Sequence, residues 1–337
     1  MSLHRRRWPL LCAALVVMLS LAGCGSSGGG GSSTSGGSLA GKKIAYLDVT
    51  QSCAYCATQA KAFMGAMKSQ GVKVTQSVTN FDAAEQAQQI NQAISTKPDL
   101  IVIFPTDTTS IVPGLARIKQ ARIPVVVNSY PPATKDDTLW SAWVGPNDYK
   151  LGEQSAELMI QGLEAAGIKP TGSVIEVTGT PGASSTIARS GGFEDRLKKT
   201  APQLKIVGKQ PGNWDQTQAT TAASRLFSQY GSSNIVGLYA NADNMLAGAL
   251  VAAKRAGFKP GKNLIATGSD CTVEGYTNVK NGTQFGTNLQ NPITDGQTIA
   301  KLATAVLKGE KTPKTTYIDT PIITKKNVED CAAALGK

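Results

Sequence analysis

The sequence predicts an α/β protein built from two doubly wound parallel-sheet lobes. From residue 42 onward, short runs rich in β-branched residues alternate with longer amphipathic stretches. That alternation requires parallel sheets with right-handed crossovers and helices on both faces. It restarts once, at a long helical stretch over residues 149–166, so the chain carries two such sets. Its length of 337 residues also exceeds what one hydrophobic core usually serves.

In the first set, residues 44–49, 72–78, 100–104 and 124–127 read as buried strands, because β-branched residues dominate them. Residues 58–69, 82–95 and 109–120 carry helical spacing, with Phe63 and Met67, then Ile90 and Ile94, at i, i+4. In the second set, strands are expected at 173–177, 205–208, 235–239 and 264–267, and helices at 185–198, 216–229 and 244–256. Ligands of such sheets bind beyond the carboxyl ends of the strands. Those ends fall at residues 48–56, 105–109, 128–130, 178–189, 241–244, 268–271 and 288–291, which are rich in amides, hydroxyls, carboxylates and aromatics. None carries a Gly-x-Gly-x-x-Gly turn or a phosphate loop ending in Gly-Lys-Ser/Thr; Thr178-Gly179-Thr180-Pro181-Gly182 lacks the lysine.

Residues 1–23 read as an export signal. Arg5, Arg6 and Arg7 precede an apolar stretch over residues 10–21, shorter than the roughly 20 residues that span a bilayer. The stretch ends in Leu21-Ala22-Gly23-Cys24, which resembles the lipobox of bacterial lipoproteins; in that family the chain is cut before the cysteine and the thiol is lipidated. Residues 24–40 follow as lipidated Cys24 and a Gly/Ser tether with a reach of about 20 Å. An exported, membrane-anchored body on the extracellular or periplasmic face is the expectation.

The formal net charge is +11; removing residues 1–23 takes three arginines with it and leaves +8. The lysines are scattered and no basic stripe is interleaved with aromatics, which argues against nucleic acid. The single histidine is His4, so the body of the chain has none, and His-dependent nucleophiles, bases and metal sites are excluded from it. No cofactor, no metal and no catalytic residue is expected.

At the strand ends the chain resembles the substrate-binding proteins of sugar ABC transporters, in the ribose/galactose-binding branch of the type I periplasmic-binding fold. The markers are Lys97-Pro98-Asp99, Ile123-Pro124-Val125-Val126, Val144-Gly145-Pro146-Asn147-Asp148, Pro181-Gly182 with Ala188-Arg189, Trp214-Asp215, Asn241-Ala242-Asp243-Asn244-Met245, Gly268-Ser269-Asp270 and Leu289-Gln290-Asn291-Pro292. The resemblance implies lobes at 41–145 plus 291–317 and at 146–290 plus 318–337, crossed three times by the chain. It also implies a small polyhydroxylated ligand, a sugar or polyol, in the cleft, a permease as partner, and a monomer.

By the same resemblance, Arg189 is the sugar-binding arginine, Asp270 the sugar-binding aspartate and Gln290 the amide at the second crossing. Trp214 and Tyr55 stack on the sugar ring, and Asn128 follows the fourth strand. Asn241 and Asp243 complete the ligand set. Asp107 reads either as a cleft acceptor or as a helix cap, and Asp215 as a cap. Planar paired donors and acceptors suit the rim of a sugar and aromatics suit its faces. Asn128-Ser129 stands where ribose binders carry Asp-Arg, Ala242 replaces an Asn, and Cys56 replaces an aromatic, which points to another pentose, a hexose or a polyol.

Four cysteines remain in the exported body, Cys53, Cys56, Cys271 and Cys331, and they favour disulfides. Cys53-Ala54-Tyr55-Cys56 lies between a strand and a helix, as in a thioredoxin-type redox pair, so an exported thiol–disulfide oxidoreductase is one alternative. A ligand-sensing subunit for a receptor is the other. The reading preferred here is a binding protein without a catalytic step.

Overall fold

The computed structural model describes residues 38–51, 54–231 and 234–335. The expected export signal, Cys24, residues 25–37 of the tether and Cys53 lie outside them; at the tether's expected end Leu39 is instead buried in the core of the first lobe. Two α/β lobes are present, each around a six-stranded sheet. The first sheet has the order β11-β5-β4-β3-β1-β2 and uses β1 Lys43–Asp48, β2 Lys73–Val78, β3 Leu100–Ile103, β4 Val125–Asn128, β5 Ala142–Gly145 and β11 Thr315–Tyr317. The second has the order β12-β10-β9-β8-β6-β7 and uses β6 Gly172–Thr178, β7 Leu204–Pro211, β8 Ile235–Ala240, β9 Ile265–Thr267, β10 Gly286–Asn288 and β12 Ile322–Thr324. All pairings are parallel except β10 with β12. In each sheet the first strand lies between the second and the third, so the winding reverses there and opens a crevice at the carboxyl ends of β1 and β3, and of β6 and β8.

Buried apolar strands take helices on both faces. In the first lobe, α1 Ala54–Lys68 and α9 Pro292–Leu307 cover one face of the sheet, with Phe63, Met67 and Ile299 in that core. On the other face α2 Ala83–Ser95 and α3 Val112–Gln120 bury Ile90, Leu115 and Ile118. In the second lobe α4 Asp148–Ala165 and α5 Ser184–Thr200 lie on one face, and α6 Gln216–Tyr230 and α7 Asp243–Arg255 on the other. Side-chain caps set several starts: Asp82 accepts from the N–H groups of Ala84 and Glu85, Asp215 from Gln218, and Asn291 from Ile293 and Thr294.

The third helix begins at Val112 rather than at residue 109, because Pro113 fits only the first turn and residues 107–110 form a capped turn before it. Beyond residue 268 the fold adds α8 Val273–Asn281, β10, α9, β11, β12 and α10 Glu329–Ala334. Strands of three residues are too short to register as a pattern in the sequence. The chain passes between the sheets after β5, after β10 and between β11 and β12.

Two glycines decide how α4 and α5 meet. A Cβ on Gly152 would come within 2.0 Å of the Arg189 carbonyl oxygen, and one on Gly192 within 2.0 Å of the Tyr149 carbonyl oxygen. The helix backbones therefore touch, which carries Arg189 to the end of α4. Gly152→Ala is expected to lower unfolding free energy by about 1–3 kcal/mol despite the better helix propensity of alanine, as backbone atoms cannot give way cheaply. Urea denaturation checks this; an unchanged midpoint would refute the contact.

Candidate functional site

The carboxyl end of β6 turns through Thr178 to Ala183 into α5, at the edge of the second sheet where the fold expects ligand. Ala183 supplies no side-chain cap, so the first N–H groups of α5 keep donor capacity. Arg189, two turns further along, is only 6 % exposed. Its Nε donates to Asp148 Oδ1 at 2.9 Å, and its Nη1 to the Asn241 carbonyl at 2.7 Å and to Asp270 Oδ1 at 2.8 Å. Its Nη2 makes no hydrogen bond among the described residues. Burial disfavours the guanidinium charge, but Asp270 and Asp148 outweigh it and hold the Arg189 pKa above its ordinary value.

Asp270 also accepts from Gln290 Nε2 at the second crossing between the sheets. Burial lifts its carboxyl above the usual carboxylate range in spite of Arg189. Its side chain keeps 22 % exposure, and its Oδ2 accepts no hydrogen bond among the described residues.

Trp214 is half-buried, with the Arg189 guanidinium 5.6 Å from its ring centroid. A Cβ on Gly179 would lie 2.1 Å from Trp214 Cζ2, so the ring lies close against the β6–α5 turn. Facing these groups from the first lobe are Tyr55 and Tyr130. Burial raises both hydroxyl pKa values. Asp270 and Arg189 act on Tyr55, while Asp148, Arg189 and Ser185 act on Tyr130, all from the second lobe. Tyr130 packs edge-on against Phe104 with ring centroids 5.3 Å apart.

Several cleft residues have positive φ without being glycine: Ser129 (62°), Asn213 (53°), Trp214 (60°), Asp270 (95°) and Cys271 (58°). Such conformations cost about 1–3 kcal/mol each and persist where surrounding bonds enforce them. Here Ser129 N–H donates to the Val144 carbonyl (2.8 Å), Asn244 Nδ2 to the Trp214 carbonyl (2.8 Å), and Asp270 N–H to the Asn288 carbonyl (3.0 Å).

Residues 44–311 match the periplasmic binding protein domain family. The chain belongs to that family. It is 29% identical over 262 residues to the xylitol-binding protein of Mycolicibacterium smegmatis, covering 78% of this chain and 71% of that one. It is 28% identical over 260 residues to the ribose import binding protein of Bacillus subtilis, covering 77% and 79%. Among solved structures, a carbohydrate transporter solute-binding protein from Agrobacterium radiobacter in complex with D-arabinose superposes with a TM-score of 0.78 at 24% identity, covering 88% of this chain and 99% of that chain. The type I periplasmic-binding fold follows.

In this periplasmic binding protein, three expected ligand residues stand elsewhere. Asp243 is fully buried: its carboxylate accepts from Gln284 Nε2 (2.7 Å), Thr287 Oγ1 (2.8 Å) and Cys271 N–H (2.9 Å). It supports the turn that presents Asp270, and burial pushes its carboxyl up to about 8. Asn241 is likewise buried, its Oδ1 accepting from Gly179 N–H (2.9 Å) and its Nδ2 donating to Glu176 (3.2 Å); only its carbonyl reaches the site, through Arg189. Asp107 is exposed and caps its own turn, accepting from the N–H groups of Thr109 (2.8 Å) and Ser110 (2.7 Å), which keeps its carboxyl below the usual range. Both side chains chosen from the Asn241–Asp243 segment face inward because α7 begins there and turns them under the sheet end.

Asn128 is buried at the end of β4, its Nδ2 donating to Gln59 Oε1 at 3.3 Å. Gln59, Asp148, Tyr130 and Asp295 were not among the sequence candidates. Two of them carried a signal, Asp148 within the motif at the first crossing and Tyr130 within the strand end at residues 128–130. Cys56 is disulfide-bonded and buried in a small cluster with Val49 and Phe104, and the other cysteine of the Cys-x-x-Cys pair, Cys53, lies outside the described residues. Cys271 and Cys331 form a disulfide, Cα–Cα 5.8 Å, that ties α10 to the residue after Asp270. No group of metal-ligating side chains occurs among the described residues, and no helix there is long and apolar enough to cross a membrane.

Asp243→Ala would strip three buried donors of their acceptor and is expected to cost about 3 kcal/mol of folding stability or more. Chemical denaturation checks this. An unchanged stability would return Asp243 to the list of ligand contacts.

Proposed function

We propose that this chain is an extracytoplasmic solute-binding protein that captures a small sugar or polyol between its lobes and delivers it to an ABC importer. The arrangement around Arg189 carries the reading. Arg189 Nη2 stands as a donor, Asp270 Oδ2 and Gln290 Oε1 as acceptors, and none of the three has a partner among the described residues. The Trp214 ring lies beside them and Tyr55 opposite. A hydroxylated ring offers the complement, with donors and acceptors at its rim and C–H bonds on its faces. A site that hydrogen-bonds each hydroxyl rejects an analogue lacking one, because its own buried group is left unpaired. Relatives that bind xylitol and ribose support the same class of ligand.

In this reading the lobes are residues 41–145 with 291–317 and residues 146–290 with 318–337, and the three crossings form the hinge. Ligand favours closure by binding the closed state more tightly, and the closed face is what the permease meets. Cleavage before Cys24 and its lipidation anchor the protein, with the Gly/Ser-rich segment before Leu39 as tether. The protein acts as a monomer, without cofactor and without turnover.

A thermal-shift panel of pentoses, hexoses and polyols, followed by titration calorimetry, tests the proposal. At least one member is expected to raise the melting temperature and to give saturable heat; a panel that leaves it unmoved would sink the carbohydrate reading. Trp214→Ala should weaken that ligand by about 1–3 kcal/mol, roughly 5- to 150-fold, through lost ring contact. Arg189→Ala is the poorer probe, since it leaves Asp148 and Asp270 buried without their counter-ion and is expected to cost about 3–5 kcal/mol of stability as well.

A further inference from the structure

Asp295 lies in the first turn of α9, just past the second crossing, and is 1 % exposed. Its Oδ2 accepts from the Tyr55 hydroxyl and from Gln59 Nε2, residues 240 and 236 positions earlier in the chain. Gln59 Oε1 in turn accepts from Asn128 Nδ2, so one chain of bonds joins α9, α1 and the end of β4. The contact depends on Gly296, where a Cβ would come within 2.4 Å of the Gln59 carbonyl oxygen. Among the described residues Asp295 Oδ1 makes no hydrogen bond, and no lysine or arginine pairs with the carboxylate. Tyr55, Gln59 and the positive end of α9 are what stabilise its charge.

We propose that Asp295, together with Gln59, is a positioning residue that holds Tyr55 against the cleft, and that ligand affinity depends on its being ionised. This rests on the reading that Tyr55 lines the ligand site. An ionised acceptor binds the Tyr55 hydroxyl about twice as strongly as a neutral one. Burial pushes the Asp295 carboxyl up to about 6, against the two hydrogen bonds that oppose the rise. The titratable groups facing it are Tyr55 on α1 and Tyr46 on β1, both held protonated by burial, with Asp48 acting on Tyr46 from the end of β1. Asp270 and Arg189 of the second lobe act on Tyr55.

The sign separates this role from a purely structural one. Because the folded pKa is raised, the contribution of Asp295 to folding is fully present below the ordinary aspartate value and is lost as pH rises through about 6. Positioning of Tyr55 runs the other way, strong above about 6 and weakened below it. Acidification therefore strengthens the fold at this residue while loosening the ligand.

The test uses the intact chain labelled with [13Cζ]tyrosine, without ligand, titrated from about pH 8 to about pH 4.5, with Tyr55 assigned through Tyr55→Phe. The Tyr55 signal is expected to inflect near pH 6, to lose the inflection in Asp295→Asn, and to inflect at higher pH in Gln59→Met, which removes one bond to the charged form. A flat Tyr55 signal, or an inflection unchanged in both variants, would overturn the proposal. In calorimetry with xylitol and D-ribose as probes, affinity is expected to fall about fivefold or more between pH 7.5 and pH 5 in the natural chain and to stay within about twofold in Asp295→Asn; equal ratios would also overturn it. No heat from either probe at pH 7.5, with the Tyr55 inflection intact, counts against the sugar reading and leaves the Tyr55 coupling standing.

Discussion

The site depends on one buried charge. Arg189 joins three separate pieces of the second lobe: Asp148 at the start of α4, the Asn241 carbonyl at the end of β8, and Asp270 in the turn after β9. Removing a guanidinium and two carboxylates from water is costly, and such a group stabilises a fold only when its hydrogen bonds are made. Here two of the three nitrogens are fully used and the third is left over. The arrangement is therefore a poor device for stability and a good one for orientation, since every partner fixes the direction of the unused edge.

The turns around that charge are held in conformations the backbone would not choose. Asp270 and Cys271 both have positive φ, and their neighbours explain why they stay there: Asp243 holds the Cys271 N–H from below, Asn288 accepts from Asp270, and the bond to Cys331 ties the turn to α10. Trp214 is likewise held by Asn244. Strain is thus placed at the rim and offset in the packed layer beneath it.

Much of the fold was legible in the chain. The first seven elements of the chain and the eight from α4 to β9 follow from runs rich in β-branched residues and from pairs such as Phe63 and Met67, because burial leaves a mark on composition. The cap at Asp215 is visible as a single residue before helical periodicity, whereas those at Asp82 and Asn291 emerge from the structure. Arg189, Asp270, Gln290, Trp214 and Tyr55 were also reachable, through a resemblance that follows the order of motifs. The strands β10, β11 and β12 were not, since three residues carry no periodicity to read.

What the sequence alone determined is the alternation, the two sets, and which strand ends are polar; local burial and local hydrogen bonding write these into neighbouring residues. Only the tertiary structure decided which polar side chains point into the cleft. Asp243 and Asp270 look equivalent along the chain, yet one is turned under the sheet by the start of a helix and the other is turned outward by a positive φ. The bond between Asp295 and Tyr55 spans 240 positions and exists because a glycine lets two helices touch. Direction and distance of that kind belong to packing, and no spacing in the chain encodes them.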